Sequence, residues 1–481
     1  MQTFIGRKTE KTQLSALIER PRPSIAVIYG RRRVGKSELI RQATQGKNVL
    51  SFEGLEGQPK QKQIRNFLFQ LSTQSGITEK GISDWPAALI LLRELTKNGQ
   101  WVIILDEFQW MANYQNELVS AIKMIWEQYL SENPRLTLIL CGSIASFMKS
   151  KVLRSSALYG RCDYELNLRE LNLHEIAAFF PDKGSDELLE TAMLVGGIPK
   201  YLELISAFPS LYDAMEHLAF SRDGFFQTEY DRLFASHFGK KPIYRKIIQT
   251  LSANPYGLTT GKLAKAMDVA PGGTLGNQLD DLESAGFLHS LIPFDKPETS
   301  KLRKYVLMDA YVGFYNTMIR GASRKAAPPD TQYHTLMASP RYAAWLGRAF
   351  ELLCMRHHAE ISGILGFSGV PYSVGPFFQR KTLHDPSVQI DLLFERSDKV
   401  LVLCEMKYLL TKVPGDIVEQ VNRKVAALQE KYPGRTILKV LLTKTASTEA
   451  VAKRGYFFRI IRADELIAYG PPAASTANGP A

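Results

Sequence analysis

Eight consecutive residues carry the most specific chemistry in the chain. Gly30-Arg31-Arg32-Arg33-Val34-Gly35-Lys36-Ser37 satisfies the pattern G-x-x-x-x-G-K-[ST], between an apolar run and a helical stretch. Glycines at these positions let backbone N–H groups wrap phosphates, and the following helix N-terminus faces their negative charge. Lys36 is expected to reach the β and γ phosphates of ATP, and Ser37 to hold Mg²⁺. Further on, the run Trp101-Val-Ile-Ile-Leu105 ends at Asp106-Glu107. There Asp106 would hold the Mg²⁺ through water and Glu107 would polarise the attacking water, as phosphoanhydride hydrolysis requires. The bland alternative is a pair of solvated carboxylates at a strand end. A third run ends at Cys141-Gly142-Ser143, where Ser143 either senses the γ-phosphate or caps a helix.

A second constellation lies near the C-terminus. In VQIDLLF, Asp391 shares a face with Gln389 and Leu393, and in LVLCEMKY, Glu405 shares one with Lys407, because strand side chains alternate. If the two strands pair, three ionisable groups converge. Asp391 and Glu405 could then bind Mg²⁺ or Mn²⁺ while Lys407 orients water or stabilises charge. An edge hairpin with ordinary surface charges is the alternative. Gln420, on the helix that follows, is a weaker candidate for positioning substrate, and His357-His358 read as helix surface residues.

These residues need elements to hold them. Apolar runs at 24–30, 48–54, 101–107, 136–143 and 164–171, separated by helical stretches, predict an α/β domain around a parallel sheet buried on both faces. This P-loop NTPase core is assigned residues 1–171, and a helical lid residues 172–235. Three short helices and two strands over 236–325 have the order of a winged helix-turn-helix. A Pro- and Ala-rich linker, SRKAAPPDTQ, follows, and residues 326–468 form a second, smaller α/β domain. The tail 469–481 is of low complexity.

The bulk properties agree with several modules: 481 residues, 45% hydrophobic and 22% charged, exclude global disorder, collagen-like and disulfide-scaffold classes. The formal charge of +12 (60 Lys and Arg, 48 Asp and Glu) permits a polyanionic partner without identifying one. Residues 236–325 hold 13 of the basic and 7 of the acidic residues, so half of the excess sits there. Lys296, Lys301, Arg303 and Lys304 cluster at the expected wing. Asp280, Asp281 and Glu283 on the expected recognition helix would repel phosphates in a major groove. Four widely spaced cysteines without a C-x-x-C pair, no apolar leader and no run of about 18 apolar residues predict a reduced, cytoplasmic protein without a membrane partner.

Taken together, Phe4-Ile-Gly6-Arg7-Lys-Thr-Glu10, GRRRVGKS, LDEFQW, CGS, Tyr159-Gly160-Arg161 and Gly196-Gly-Ile-Pro199 resemble the archaeal-type P-loop ATPases of prokaryotes, relatives of the AAA+ and STAND groups. The resemblance implies that Gly6-Arg7 lies by the adenine, that Ser143 is the sensor, and that Arg161 is an arginine finger or sensor; a finger acting in trans would require a homo-oligomer. The C-terminal region of that family is similar to PD-(D/E)XK nucleases of restriction-endonuclease-like fold. Asp391, thirteen residues, then Glu405-Met-Lys407 match the nuclease motif, with Ile390 in place of its proline. Glu351, one turn after Gly347, would be the additional acid on the first helix. The expectation is thus an ATPase coupled to a metal-dependent nuclease acting on DNA or RNA. Its rival is a nucleotide-switched regulatory or DNA-binding protein whose nuclease-like domain is inactive and structural.

Overall fold

A computed structural model of the chain describes residues 4–470 except 80, 240, 295, 298, 322–331, 380–386, 410, 446–450 and 452–454. The expected linker, save its last residue Gln332, and the expected tail beyond 470 lie outside the described residues. The chain divides into two compact units, Met1–Glu170 and Leu171–Ala481.

In the first unit five strands, β1 (Ser24–Tyr29), β2 (Asn48–Glu53), β3 (Trp101–Asp106), β4 (Leu136–Gly142) and β5 (Tyr164–Asn167), form one sheet in the order β2-β3-β4-β1-β5. Every neighbouring pair is parallel. Helix α1 (Lys8–Ile18) precedes β1; parallel strands need crossovers, and here helices supply them: α2 (Lys36–Ala43), α3 (Lys60–Ser75), α4 (Trp85–Thr96), α5 (Phe108–Met111) and α6 (Glu117–Gln128). Ile25, Val27, Leu50, Phe52, Ile103 and Leu105 form one apolar cluster with residues of α3, α4 and α6, while α1 lies against α2, β4 and β5. Each such large side chain contributes about 1.5–3 kcal/mol through its burial. Both faces are therefore covered, and the continuous apolar runs seen in the sequence have their physical reason.

The second unit begins with α7 (Leu173–Ala177), α8 (Ser185–Val195), α9 (Pro199–Ser206), α10 (Leu211–Met215) and α11 (Phe225–Phe238). Next come α12 (Pro242–Ser252), β6 (Leu258–Thr259), α13 (Thr260–Met267), α14 (Gly273–Ser284), β7 (Leu288–Leu291) and β8 (Lys304–Leu307), the strands forming an antiparallel sheet in the order β6-β8-β7. The two-residue β6 is too short to register in the sequence pattern. After α15 (Ala310–Phe314), α16 (Gln332–Met337), α17 (Pro340–Arg356) and α18 (His358–Ile364) comes a mixed sheet, β13-β12-β11-β10-β9. Its strands are β9 (Tyr372–Gln379), β10 (Val388–Arg396), β11 (Leu401–Lys407), β12 (Ile437–Thr443) and β13 (Arg459–Arg462), with α19 (Ile417–Lys431) before β12 and α20 (Ala463–Ala468) last. Helix α17 packs on β10 and β11, and α19 on β10.

Two readings from the sequence are corrected here. The alternative of an edge hairpin fails, because β9 pairs with β10 and β12 with β11, so both strands are interior. Strand β9 escapes the alternation rule because Gly375 and Pro376 interrupt it, a composition tolerated at a sheet edge. His357 is buried, its Nδ1 lying 2.8 Å from the Leu353 carbonyl oxygen, at the junction of α17 and α18. All four cysteines are free, and no described helix is long and apolar enough to cross a membrane.

Gly30 leaves β1 with φ +150°, and a Cβ there would meet the Leu168 carbonyl oxygen at 2.2 Å. Gly30→Ala is expected to destabilise the protein by about 1–3 kcal/mol, the usual cost of overpacking. Chemical denaturation checks this; an unchanged midpoint would contradict the close approach.

Candidate functional site

The carboxyl ends of β1, β3 and β4 lie side by side, since β1 pairs β4 and β4 pairs β3. Beyond β1 the loop turns through left-handed backbone at Arg33 (φ 71°) and Gly35 (φ 91°), and α2 starts at Lys36. Lys36 is buried, with its Nζ donating to the carbonyls of Gly30 at 2.9 Å and Arg31 at 3.1 Å. Ser37 Oγ donates to Asp106 Oδ2 at 2.7 Å, and the Glu107 amide donates to Asp106 Oδ1 at 2.8 Å. A hydroxyl and a carboxylate brought this close are hard oxygen donors of the kind Mg²⁺ takes, so the residues present fit that ion.

Glu107 occupies the left-handed region, φ 46° and ψ 46°, which is costly for a side-chain-bearing residue and characteristic of functional sites. Its Oε2 accepts from Ser143 Oγ at 2.7 Å and from Gln109 Nε2 at 2.5 Å. Ser143 therefore does not cap a helix: the short helix after it starts at Ala145 with no side-chain cap, and the serine turns to Glu107 instead. Glu53, at the end of β2 and in register with Asp106, is a third carboxyl here. Partial burial pushes its carboxyl above the usual range, the charges of Asp106 and Glu107 add to this, and Arg32 opposes it. Neither Glu53 nor Gln109 was singled out from the sequence. Gln109 was open to notice, two residues past Glu107 in LDEFQW; Glu53 is marked only by β2–β3 pairing.

The arginines of the region serve the loop itself. Arg31 pairs with Glu170 at 3.4 Å, and the Arg32 guanidinium lies 5.5 Å from the Trp110 ring centre. Val34 is buried within the loop, and Arg33 is partly buried. Gly6 and Arg7 both have positive φ, and the buried Arg7 side chain donates to the carbonyls of Val34 (3.3 Å) and Arg169. Arg7 thus braces the loop from within. Arg161 is not brought to the P-loop: its guanidinium grips Glu127 of α6, with Nε 2.6 Å from Oε1.

Residues 4–205 match the family described as an ATPase domain predominantly from Archaea. The protein is an ATPase. Over 412 residues the ATPase is 27% identical to an uncharacterized protein of Methanocaldococcus jannaschii, covering 84% of this chain and 87% of that one. Among solved structures it is similar to a Walker-type ATPase of Pyrococcus abyssi (18% identity, TM-score 0.48, 65% of this chain and 96% of the other). It is also similar to the ORC2 protein of Aeropyrum pernix in its ADPNP–ADP complexes (17% identity, TM-score 0.39, 70% of this chain and 98% of the other).

In the ATPase's second unit the expected acids are held by basic side chains. Arg348 of α17 pairs with Glu351 at 2.6 Å and lies 3.7 Å from Asp391, which also accepts from Gln389 Nε2 at 2.6 Å. Burial and the Asp391 charge push the Glu351 carboxyl upward, while Arg348 and Lys407 oppose this. Glu405 is buried and holds two cations, Lys407 at 3.1 Å and Lys424 of α19 at 2.6 Å. Among the described residues no hydrogen bond or ion pair joins Asp391 to Glu405 or Lys407. Nor do three or more His, Cys, Asp or Glu among the described residues form a group able to hold a metal. Gln420 is partly buried and donates its Nε2 to Asp416 Oδ2 at 3.2 Å.

Lys36→Ala removes two charge-assisted hydrogen bonds of the loop together with the expected phosphate contact. At about 1.5–3 kcal/mol for a hydrogen bond to a charged group, nucleotide affinity should fall roughly 10- to 150-fold, which titration calorimetry with ATP measures.

Proposed function

We propose that the N-terminal unit hydrolyses Mg²⁺-ATP with Lys36 on the β and γ phosphates, Ser37 and Asp106 holding the metal, Glu107 orienting the attacking water and Ser143 sensing the γ-phosphate. Bound Mg²⁺ would neutralise phosphate charge; the protein groups bind, orient and accept the proton. The single observation that carries this reading is the meeting of two pairs at adjacent strand ends, Ser37 with Asp106 and Ser143 with Glu107. The loop arginines and Arg7 support the reading as braces that fix the curvature of the phosphate cradle. Glu107→Gln is expected to lower kcat by roughly 10²- to 10⁴-fold, the usual contribution of a positioned base, while ATP binding persists. Steady-state phosphate release and nucleotide titration on the same variant check both halves; unchanged turnover would sink the role of Glu107. The trans role of Arg161, and with it a homo-oligomer, requires release of Glu127, and mass measurements with and without ATP test it.

The second unit combines a winged helix with a nuclease-like domain that acts on nucleic acid. Carboxylates and Lys407 on interior strands support this reading, and so does the rim beside them. Lys304 of β8 lies 4.0 Å from the Phe378 ring centre of β9, and the half-exposed Tyr256 ring is 4.9 Å from the Arg348 guanidinium. Burial, then the charge of Lys262, lower the Lys304 amine, while Asp391 opposes this. Cations interleaved with rings suit a phosphodiester chain and its bases. The acids of α14 repel less than the sequence suggests, since Asp281 accepts from Tyr244 Oη at 2.7 Å and Glu283 from the Ser290 amide at 2.6 Å. The oxygen donors of Asp391 and Glu405 suit Mg²⁺ or Mn²⁺, which would have to compete with Arg348 and Lys424. That competition favours the rival reading, a regulatory protein with a structural nuclease-like domain. Incubation of the protein with Mg²⁺ or Mn²⁺ and single- or double-stranded DNA and RNA decides between them: cleavage abolished by Asp391→Ala is expected, and cleavage absent throughout leaves the regulatory reading.

A further inference from the structure

The buried Gln109 carboxamide is used by neither the phosphate cradle nor the metal pair. It is fully buried, and a buried amide must spend its donors and acceptor on the protein. Gln109 Nε2 donates to Glu107 Oε2 at 2.5 Å and to Ser143 Oγ at 3.1 Å, and its Oε1 accepts from the Ser143 amide at 3.2 Å. Ser143 Oγ in turn donates to Glu107 Oε2 at 2.7 Å. Three side chains thus close a ring between the end of β3 and the end of β4. The carboxamide cannot slide, because Gly142 lies against it: a Cβ there would fall 2.8 Å from Gln109 Oε1 and 2.6 Å from Met148 Sδ. Glu107 Oε2 therefore has two donors, while Oε1 accepts no hydrogen bond from any described residue.

We propose that Gln109 is a positioning residue for ATP hydrolysis, holding Glu107 by one carboxylate oxygen so that the other faces the attacking water, and tying that carboxylate to the strand end that carries Ser143. The inference rests on Glu107 being the base. In the step it serves, the water oxygen bonds to the γ-phosphorus as the bond from that phosphorus to the β,γ-bridging oxygen breaks. The water proton passes to Glu107 Oε1, and ADP departs with the electron pair on the bridging oxygen. Without Gln109 the carboxylate regains rotamer freedom in a site where a displacement of about 1 Å costs on the order of 10²-fold.

The test uses the full-length protein with Gln109→Met, close in volume but without the amide, and Gln109→Asn, which keeps the amide one carbon shorter. Both should lower kcat by roughly 10- to 100-fold with the ATP dissociation constant held within about twofold. In a Glu107→Gln background, adding Gln109→Met should cost little more, because residues acting as a unit are not additive. A kcat within twofold of the parent in both variants overturns the proposal. So does a loss that appears in ATP affinity with kcat unchanged, or one that multiplies fully on top of Glu107→Gln. If Glu107→Gln alone leaves turnover intact, the reading of Glu107 fails instead, and the two failures are told apart. Should Gln109→Met not fold, Gln109→Asn and Ser143→Ala, which deletes the second donor to Oε2, report the same kcat loss with ATP affinity retained.

Discussion

A parallel sheet must be buried on both faces, and everything at the nucleotide site follows from that constraint. Strands β1 and β4 have no exposed side chain along their length, so polar chemistry has no place on the sheet itself. It is confined to the strand ends, where the backbone leaves the sheet. In the order β2-β3-β4-β1-β5, the ends of β3, β4 and β1 are consecutive, so Asp106, Glu107, Ser143 and the phosphate-binding loop become neighbours although more than a hundred residues separate Gly30 from Ser143. Hydrophobic burial supplies the stability, and strand order decides which polar groups meet.

The same site shows how a protein holds a reactive group in an unfavourable conformation. Glu107 sits in left-handed backbone, yet its carbonyl accepts from the Trp110 amide at 2.9 Å and its side chain is held by Ser143 and Gln109. Local strain is over-determined by surrounding bonds, so the conformation persists. In the second unit the governing rule is charge compensation. Glu405 is only 4% exposed, and a carboxylate that far from water requires partners; Lys407 and Lys424 provide them. Arg348 does the same for Glu351 and Asp391, itself anchored to the Pro255 carbonyl at 3.0 Å.

Much of this was legible in the chain. The three central strands β1, β3 and β4 fall where continuous apolar runs stop at Gly30, Asp106 and Gly142-Ser143, because a strand buried on both faces needs such a run and must stop where polarity begins. Lys36 and Ser37 were readable from a contiguous phosphate-binding motif, and Asp106 and Glu107 from the acidic end of an apolar run. The less legible residues act through contacts that spacing does not encode. Arg7 turns to Val34 and Arg169, Arg161 is taken by Glu127, and Ser143 gives its hydroxyl to Glu107, not to a helix end. Strand β9 was hidden by Gly375 and Pro376, and His357 read as surface because its helix ends beneath it.

By itself, then, the sequence determined the α/β class of the first unit, the phosphate-binding loop, and the residue types available for hydrolysis, since hydrophobic periodicity and a contiguous motif are local properties. Only the tertiary structure decided that Gln109 and Glu53 join the site, that β10 and β11 are interior, and that Arg348 and Lys424 are partners of the C-terminal acids. These depend on strand order, register and burial, which arise from contacts between residues distant in the chain.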